Sequence, residues 1–275
     1  MKPSCLSLVA AFAPFLALAG TSLAEEASGT QASGNHASGI VRQSWSFAPP
    51  FGTYDNAQLQ RGFQVYKEIC ASCHSMRLLS YRNLGEAGGP EFSPKAVEIL
   101  ASQVQVTDGP NEKGEMFQRP ARPSDPFRSP FANDPLARVA NNGALPPDLS
   151  VMAKARTGGP DYLHALLTGY RAPPAGFEVT QGMYYNDAFP GHQIAMPPPL
   201  SDGVVAYSDG TKPTIDNYAR DVSAYLMWAA EPKLEERHKT GARVMIFLIV
   251  FVVIMFLAKR AVWAGLHHRD ASRAT

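Results

Sequence analysis

Cysteine is almost absent: the 275 residues contain three, at positions 5, 70 and 73. Such scarcity excludes a disulfide-stapled scaffold. It also excludes a zinc site built from paired thiolates, because Cys5 falls in an apparent cleaved leader and no second pair of soft ligands remains. An excess of either charge is missing too, with 25 Lys plus Arg against 24 Asp plus Glu, so nothing points to nucleic acid. No repeat of fixed period occurs, which excludes solenoids and arrays. Residues 1–24 contain no arginine, which argues against an organelle transit peptide.

What the chain does have is concentrated at three places. The first is Cys70-Ala71-Ser72-Cys73-His74, a C-x-x-C-H run. Two thiols three positions apart on the last turn of a helix can each add to a haem vinyl group, while the adjacent imidazole reaches the iron from the same side. A redox dithiol is the competing reading of such a pair. Covalent attachment of one haem c is the expectation, with Cys70 and Cys73 as thioethers and His74 as an axial ligand.

The second and third places are the two ends. Lys2, an apolar stretch from Leu6 to Ala19 and the small residues Ser22-Leu23-Ala24 before Glu25 have the layout of a secretory signal peptide. Near the other end, Val244 to Ala258 form 15 uninterrupted apolar residues, flanked by Arg243 and by Lys259-Arg260. Counted from Gly241 to Trp263, the segment is long enough to cross a bilayer, with the cations snorkelling and Trp263 in the headgroup belt. The expected organisation is a signal peptide at 1–24, a haem domain at 25–240, a transmembrane anchor at 241–263 and a tail at 264–275. Export of the N-terminus places the haem domain in the periplasm and the tail in the cytoplasm, on a bacterial inner membrane.

Between leader and anchor the pattern is all-α with long ordered loops, a c-type haem domain followed by one C-terminal transmembrane helix. Asp55-Asn56-Ala57-Gln58 resembles a capping box, and Leu59, Phe63, Tyr66 and Cys70 then form a stripe expected to meet the porphyrin. Thr214 caps a helix to Ala230 whose stripe of Ile215, Tyr218, Val222, Tyr225, Leu226 and Ala229 reads as core. Shorter helices are expected near 95–101 and 161–168, and loops elsewhere, including Pro120 to Pro135 and Pro173 to Ala188.

The sixth iron ligand must come from a distant residue. Soft or imidazole donors are Met76, Met116, Met152, Met183, Met196, Met227, His36, His164, His192 and His238. Met196 leads because Pro197-Pro198-Pro199 stiffen the chain after it. Met183 and His192 remain its rivals.

Four stretches carry a family resemblance: Arg61 to Glu68, Asp108 to Met116, Asn141 to Ser150 and Phe189 to Pro197. Together they resemble cytochrome c1, the haem subunit of the cytochrome bc1 complex, over most of residues 43 to 265. The resemblance implies that Met196 ligates the iron, that Arg156 of Ala155-Arg156-Thr157-Gly158-Gly159 lies near a haem propionate, and that Pro147 packs on the haem. It implies a non-catalytic electron-transfer role, with cytochrome b and the Rieske iron–sulfur protein as partners, a cytochrome c as acceptor and the lipid bilayer as surroundings. An acidic stretch of Glu86, Glu91, Glu98, Asp108, Glu112 and Glu115, against Lys95 and Lys113, is a candidate surface for a basic acceptor. The alternatives are a membrane-anchored monohaem cytochrome serving another oxidase, and a haem enzyme or gas sensor with labile methionine ligation.

Overall fold

A computed structural model of the chain describes residues 40–271. The expected leader, with Cys5, and His36 lie outside the described residues, as do the last four residues of the chain. In chain order the elements are α1 (Asn56–Glu68), α2 (Pro94–Ser102), β1 (Gln105–Asp108), β2 (Phe117–Pro120), α3 (Asp134–Ala140), α4 (Met152–Ala155), α5 (Gly159–Thr168), β3 (Tyr184–Tyr185), β4 (Gln193–Ile194), α6 (Ile215–Ala230) and α7 (Leu234–Ala271). The described chain is mostly helical, with two antiparallel pairs, α3 and α4 added where loops are expected. β1 pairs with β2 from Gln105 opposite Pro120 to Asp108 opposite Phe117, and β3 with β4 through Tyr184 opposite Ile194.

The helix starts follow local chemistry. The Asp55 carboxylate accepts from the Ala57 and Gln58 amides, and the Thr214 hydroxyl accepts from Asn217 N, each satisfying amides with no partner inside the helix. Gln58 does not complete a capping box. Its amide instead donates to Asp221 at 3.2 Å, across the packed interface with α6.

That interface is the centre of the domain. Gly62 on α1 lies so close to α6 that a Cβ there would sit 2.1 Å from the Asp221 carbonyl oxygen and 2.6 Å from Tyr225 Cβ. Leu59, Phe63 and Tyr66 are buried to between 0 and 4 % exposure, with the Phe63 and Tyr66 rings both 5.8 Å from that of Tyr225. The α1 stripe thus packs against α6, while Phe63 and Tyr66 also line a cavity of about 310 Å³ beside Ala71 of the attachment turn. α6 is buried on several sides, from Tyr218 to Ala229, and each large apolar side chain it removes from water contributes about 1.5–3 kcal/mol. Its one buried carboxylate, Asp221, is held by Arg61 Nε at 2.8 Å, so the charge is compensated where it is desolvated.

α7 begins earlier than the expected anchor. Leu234 is 4 % exposed and Glu235 accepts the Tyr54 amide at 2.9 Å, so the first turn belongs to the haem domain. The helix is 38 residues long, about 57 Å at the α-helical rise, against roughly 30 Å of bilayer hydrocarbon. From Val244 to Leu257 every side chain is 44–65 % exposed, and the apolar window reaches a mean hydropathy of 2.7 with none of it buried. A core helix would be covered; this one is a membrane anchor.

Candidate haem site

The C-x-x-C-H motif is a turn of its own rather than the last turn of α1. Ile69 closes α1 by donating to the Val65 carbonyl, and Cys70–Ser72 form a 3-10 turn. The Cys73 and His74 amides both donate to the Cys70 carbonyl, at 3.1 and 2.8 Å. Such tightening is common where an α-helix ends, and it gathers both thiols and the imidazole onto one short arc. Both cysteines are free and half-buried. Burial, with Cys73 beside it, pushes the Cys70 thiol up to about 12, so it is uncharged at neutral pH. A redox dithiol requires the opposite shift.

His74 is oriented by a residue 73 positions away. Its Nδ1 lies 2.8 Å from the Pro147 carbonyl oxygen. A carbonyl can only accept, so Nδ1 carries the proton and Nε2 keeps its lone pair. Burial lowers the imidazole pKa despite the bond to Pro147, which keeps the ring neutral and able to ligate iron. The part Pro147 plays here is that of a backbone acceptor; its own residue is exposed.

Asp148, which sequence reasoning did not single out, fixes the Pro147 loop. One carboxylate oxygen accepts from Ser75 Oγ at 2.7 Å and Arg77 N at 2.9 Å, and the other from Ser150 N at 2.9 Å. Leu149 N donates to the Ser75 carbonyl and Leu78 N to Ser150 Oγ. Burial opposes the charge, but the bonds from Ser150, Arg77 and Ser75 overcome it and hold the carboxyl at about 2. A depressed folded-state pKa contributes stability above the unfolded value of about 4, and that contribution is lost as pH falls toward 2. Asp148→Asn is accordingly expected to cost about 1.5–3 kcal/mol at neutral pH, the worth of hydrogen bonds to a charged group. In urea melts at pH 7 and pH 3, the gap between parent and variant should narrow at the lower pH.

α4 joins this loop to Arg156. The Arg156 guanidinium donates to the Ala155 carbonyl at 3.1 Å and has no carboxylate at ion-pair distance among the described residues, leaving its charge available to an anion. Gly158 follows at φ +88° and starts α5, a conformation that favours glycine.

Met196 lies on the loop after β4. Tyr170, just beyond α5, donates its hydroxyl to the Met196 carbonyl at 3.0 Å, so the methionine backbone is fixed from one side by a tyrosine and from the other by three prolines. The other candidates are differently engaged. Met76 is fully buried, with its sulfur 3.5 Å from the Tyr225 hydroxyl, and His164 is buried against Asp216 at 2.9 Å. Met152 is buried in α4 and Met227 packs on the core from α6. His192 stacks on Tyr185 and bonds to the Asn186 carbonyl. Met116 and Met183 are exposed, and His238 is on α7. The donor set of two free thiols, one imidazole with a free Nε2 and one braced thioether fits a c-type haem.

Comparison with known proteins agrees with this chemistry. The model of the Cytochrome C1 family matches residues 45–266. The chain is 48% identical to "Cytochrome b/c1" of Bradyrhizobium diazoefficiens over 242 residues, 81% of this chain and 35% of that protein. It is 46% identical to "Cytochrome c1" of Rhodospirillum rubrum, covering 83% of this chain and 89% of that protein. With "Cytochrome c1" of Blastochloris viridis it shares 44% identity over 94% of this chain and 96% of that protein. The chain thus spans about a third of the Bradyrhizobium protein and most of the other two.

Proposed function

The chain belongs to the cytochrome c1 family, and from that premise we propose that it is the electron-transfer haem subunit of a cytochrome bc1 complex. Single electrons arrive from the Rieske [2Fe–2S] protein, which cytochrome b supplies through quinol oxidation, and leave to a cytochrome c. The chain itself is a non-catalytic relay. Its cofactor is one covalent haem c, which Cys70 and Cys73 would hold through thioethers and which His74 and Met196 would ligate; held in this way, it would supply one-electron chemistry with no position left for substrate, and the methionine thioether would raise its potential.

The surrounding residues do the holding. Pro147 keeps His74 in the Nδ1–H tautomer, Asp148 keeps Pro147 in place, Tyr170 and Pro197–Pro199 confine Met196, and Arg156 offers its charge to a propionate. The observation that carries the reading is the His74–Pro147 bond beside two free thiols in one turn. The proposed topology puts the haem domain in the periplasm, the anchor at 241–263 and the basic end of α7 in the cytoplasm, after removal of residues 1–24.

The acidic stretch is partly neutralised within the protein. Asp108 pairs with Arg119, Glu98 with Lys95, and Glu86 lies 4.0 Å from Lys233. Glu112 and Glu115, at the turn between β1 and β2, have no cation at ion-pair distance among the described residues, and they are the part proposed to steer a basic acceptor. In membranes, quinol should reduce the haem only when cytochrome b and the Rieske protein are present, and an inhibitor of the quinol-oxidation site should abolish reduction. Inhibitor-insensitive reduction without the Rieske protein contradicts the assignment. In the same assay Glu112→Lys with Glu115→Lys should slow acceptor oxidation severalfold at low ionic strength. The difference should shrink at about 0.1 M salt, where screening acts over ~10 Å; a rate indifferent to both removes only the docking surface.

A further inference from the structure

Where α7 leaves the haem domain, a cavity of about 340 Å³ opens between its first turns and the loop at residues 51–53. Its wall carries Phe51, Thr53, Glu235, His238, Lys239 and Arg243. Arg243 immediately precedes the apolar run that starts at Val244, so the cavity lies at the depth where hydrocarbon gives way to headgroups.

The charges in the cavity are unevenly satisfied. Lys239 and Arg243 are four residues apart and share a helix face. Glu235 is the one acid on the wall, with one oxygen taken by the Tyr54 amide and the other 3.6 Å from Lys239. Arg243 has no carboxylate at ion-pair distance among the described residues, and His238 Nδ1 is buried without a hydrogen-bond partner. Phe51 stands on the lip, 77 % exposed, an apolar ring beside an apolar helix at the membrane surface. Two cations, an unpartnered ring nitrogen and an exposed aromatic at this depth match the phosphate and upper acyl chain of one lipid.

We propose that this cavity binds the phosphodiester headgroup of an anionic phospholipid from the leaflet facing the haem domain, with Lys239 and Arg243 on the phosphate and Phe51 against the acyl chain. The proposal rests on α7 being the membrane anchor. Lys239 and Arg243 also fix the depth of the helix, so the bound lipid sets the height of the haem domain above the bilayer.

The test uses the full haem-loaded chain in detergent, with native mass spectrometry reading adducts of phosphatidylglycerol against phosphatidylcholine. Lys239→Ala with Arg243→Ala should lower the preference for phosphatidylglycerol about tenfold, whereas Lys239→Arg with Arg243→Lys should retain it. A Phe51→Trp variant should show fluorescence quenched more by brominated phosphatidylglycerol than by brominated phosphatidylcholine. An unchanged preference in the double alanine variant overturns the site. So does a preference lost only in Lys259→Ala with Arg260→Ala at the far end of the helix, or displacement by inorganic phosphate at equal concentration, which marks a free-anion site. Release of the parent chain from vesicles by alkaline carbonate would instead overturn the anchor reading, and the lipid site with it.

Discussion

Met196→Leu will abolish the weak methionine-to-iron charge-transfer absorption of the oxidised protein and leave the haem covalently attached. Leucine keeps the volume and the backbone bond to Tyr170 but offers no donor atom, so the variant isolates ligation from folding. The reduction potential should fall by on the order of 0.1 V, within the ~0.8 V range over which axial ligands tune haem proteins. Visible and near-infrared spectra with a redox titration decide it. A charge-transfer absorption and potential equal to the parent's would remove Met196 from the iron and turn attention to Met183 and His192.

Gly62→Ala should be the most damaging single-methyl change in the domain. The added carbon would meet the Asp221 carbonyl oxygen at 2.1 Å and Tyr225 Cβ at 2.6 Å, and neither neighbour is the movable end of a flexible side chain. α1 must back away from α6, loosening Arg61 on Asp221 and the Phe63 and Tyr66 contacts together. We expect a loss of about 3 kcal/mol, the upper end of ordinary overpacking, in guanidinium melts followed through the buried Trp228. Covalent haem yield should drop as well, because the attachment turn begins two residues after α1 ends. A change below about 1 kcal/mol, ordinary for a point mutation, would show that the helices do not approach this closely.

Local chemistry was readable in the sequence wherever a feature acts within a few residues. Asp55 and Thr214 mark helix starts where α1 and α6 indeed begin, and the α6 stripe is core. The C-x-x-C-H motif names its own cofactor. What covers a stripe is a different question: the period of Leu59, Phe63 and Tyr66 shows that they are buried, but not that α6, some 160 residues later, packs on them. The β1–β2 pair lacks an apolar alternation, being held by Arg119 on Asp108 and Asp125, and so gives no strand signal. The Asp148–Ser150 turn is short-range and was available as a clue. Its bonds to Ser75 and Arg77 span more than 70 residues, and no spacing rule reaches that far.

The continuity of α7 has a mechanical consequence. Leu234 is seated in the core, Glu235 is tied to Tyr54, and the same helix runs without a break into the apolar run at Val244. The ten residues from 234 to 243 make a rigid strut of about 15 Å, with no glycine- or proline-rich tether to absorb motion. A tilt of about 20°, usual for a single span, would carry the whole domain sideways by roughly 5 Å as one piece. The haem site leans with its anchor and is carried as one piece with it, not swung on a tether.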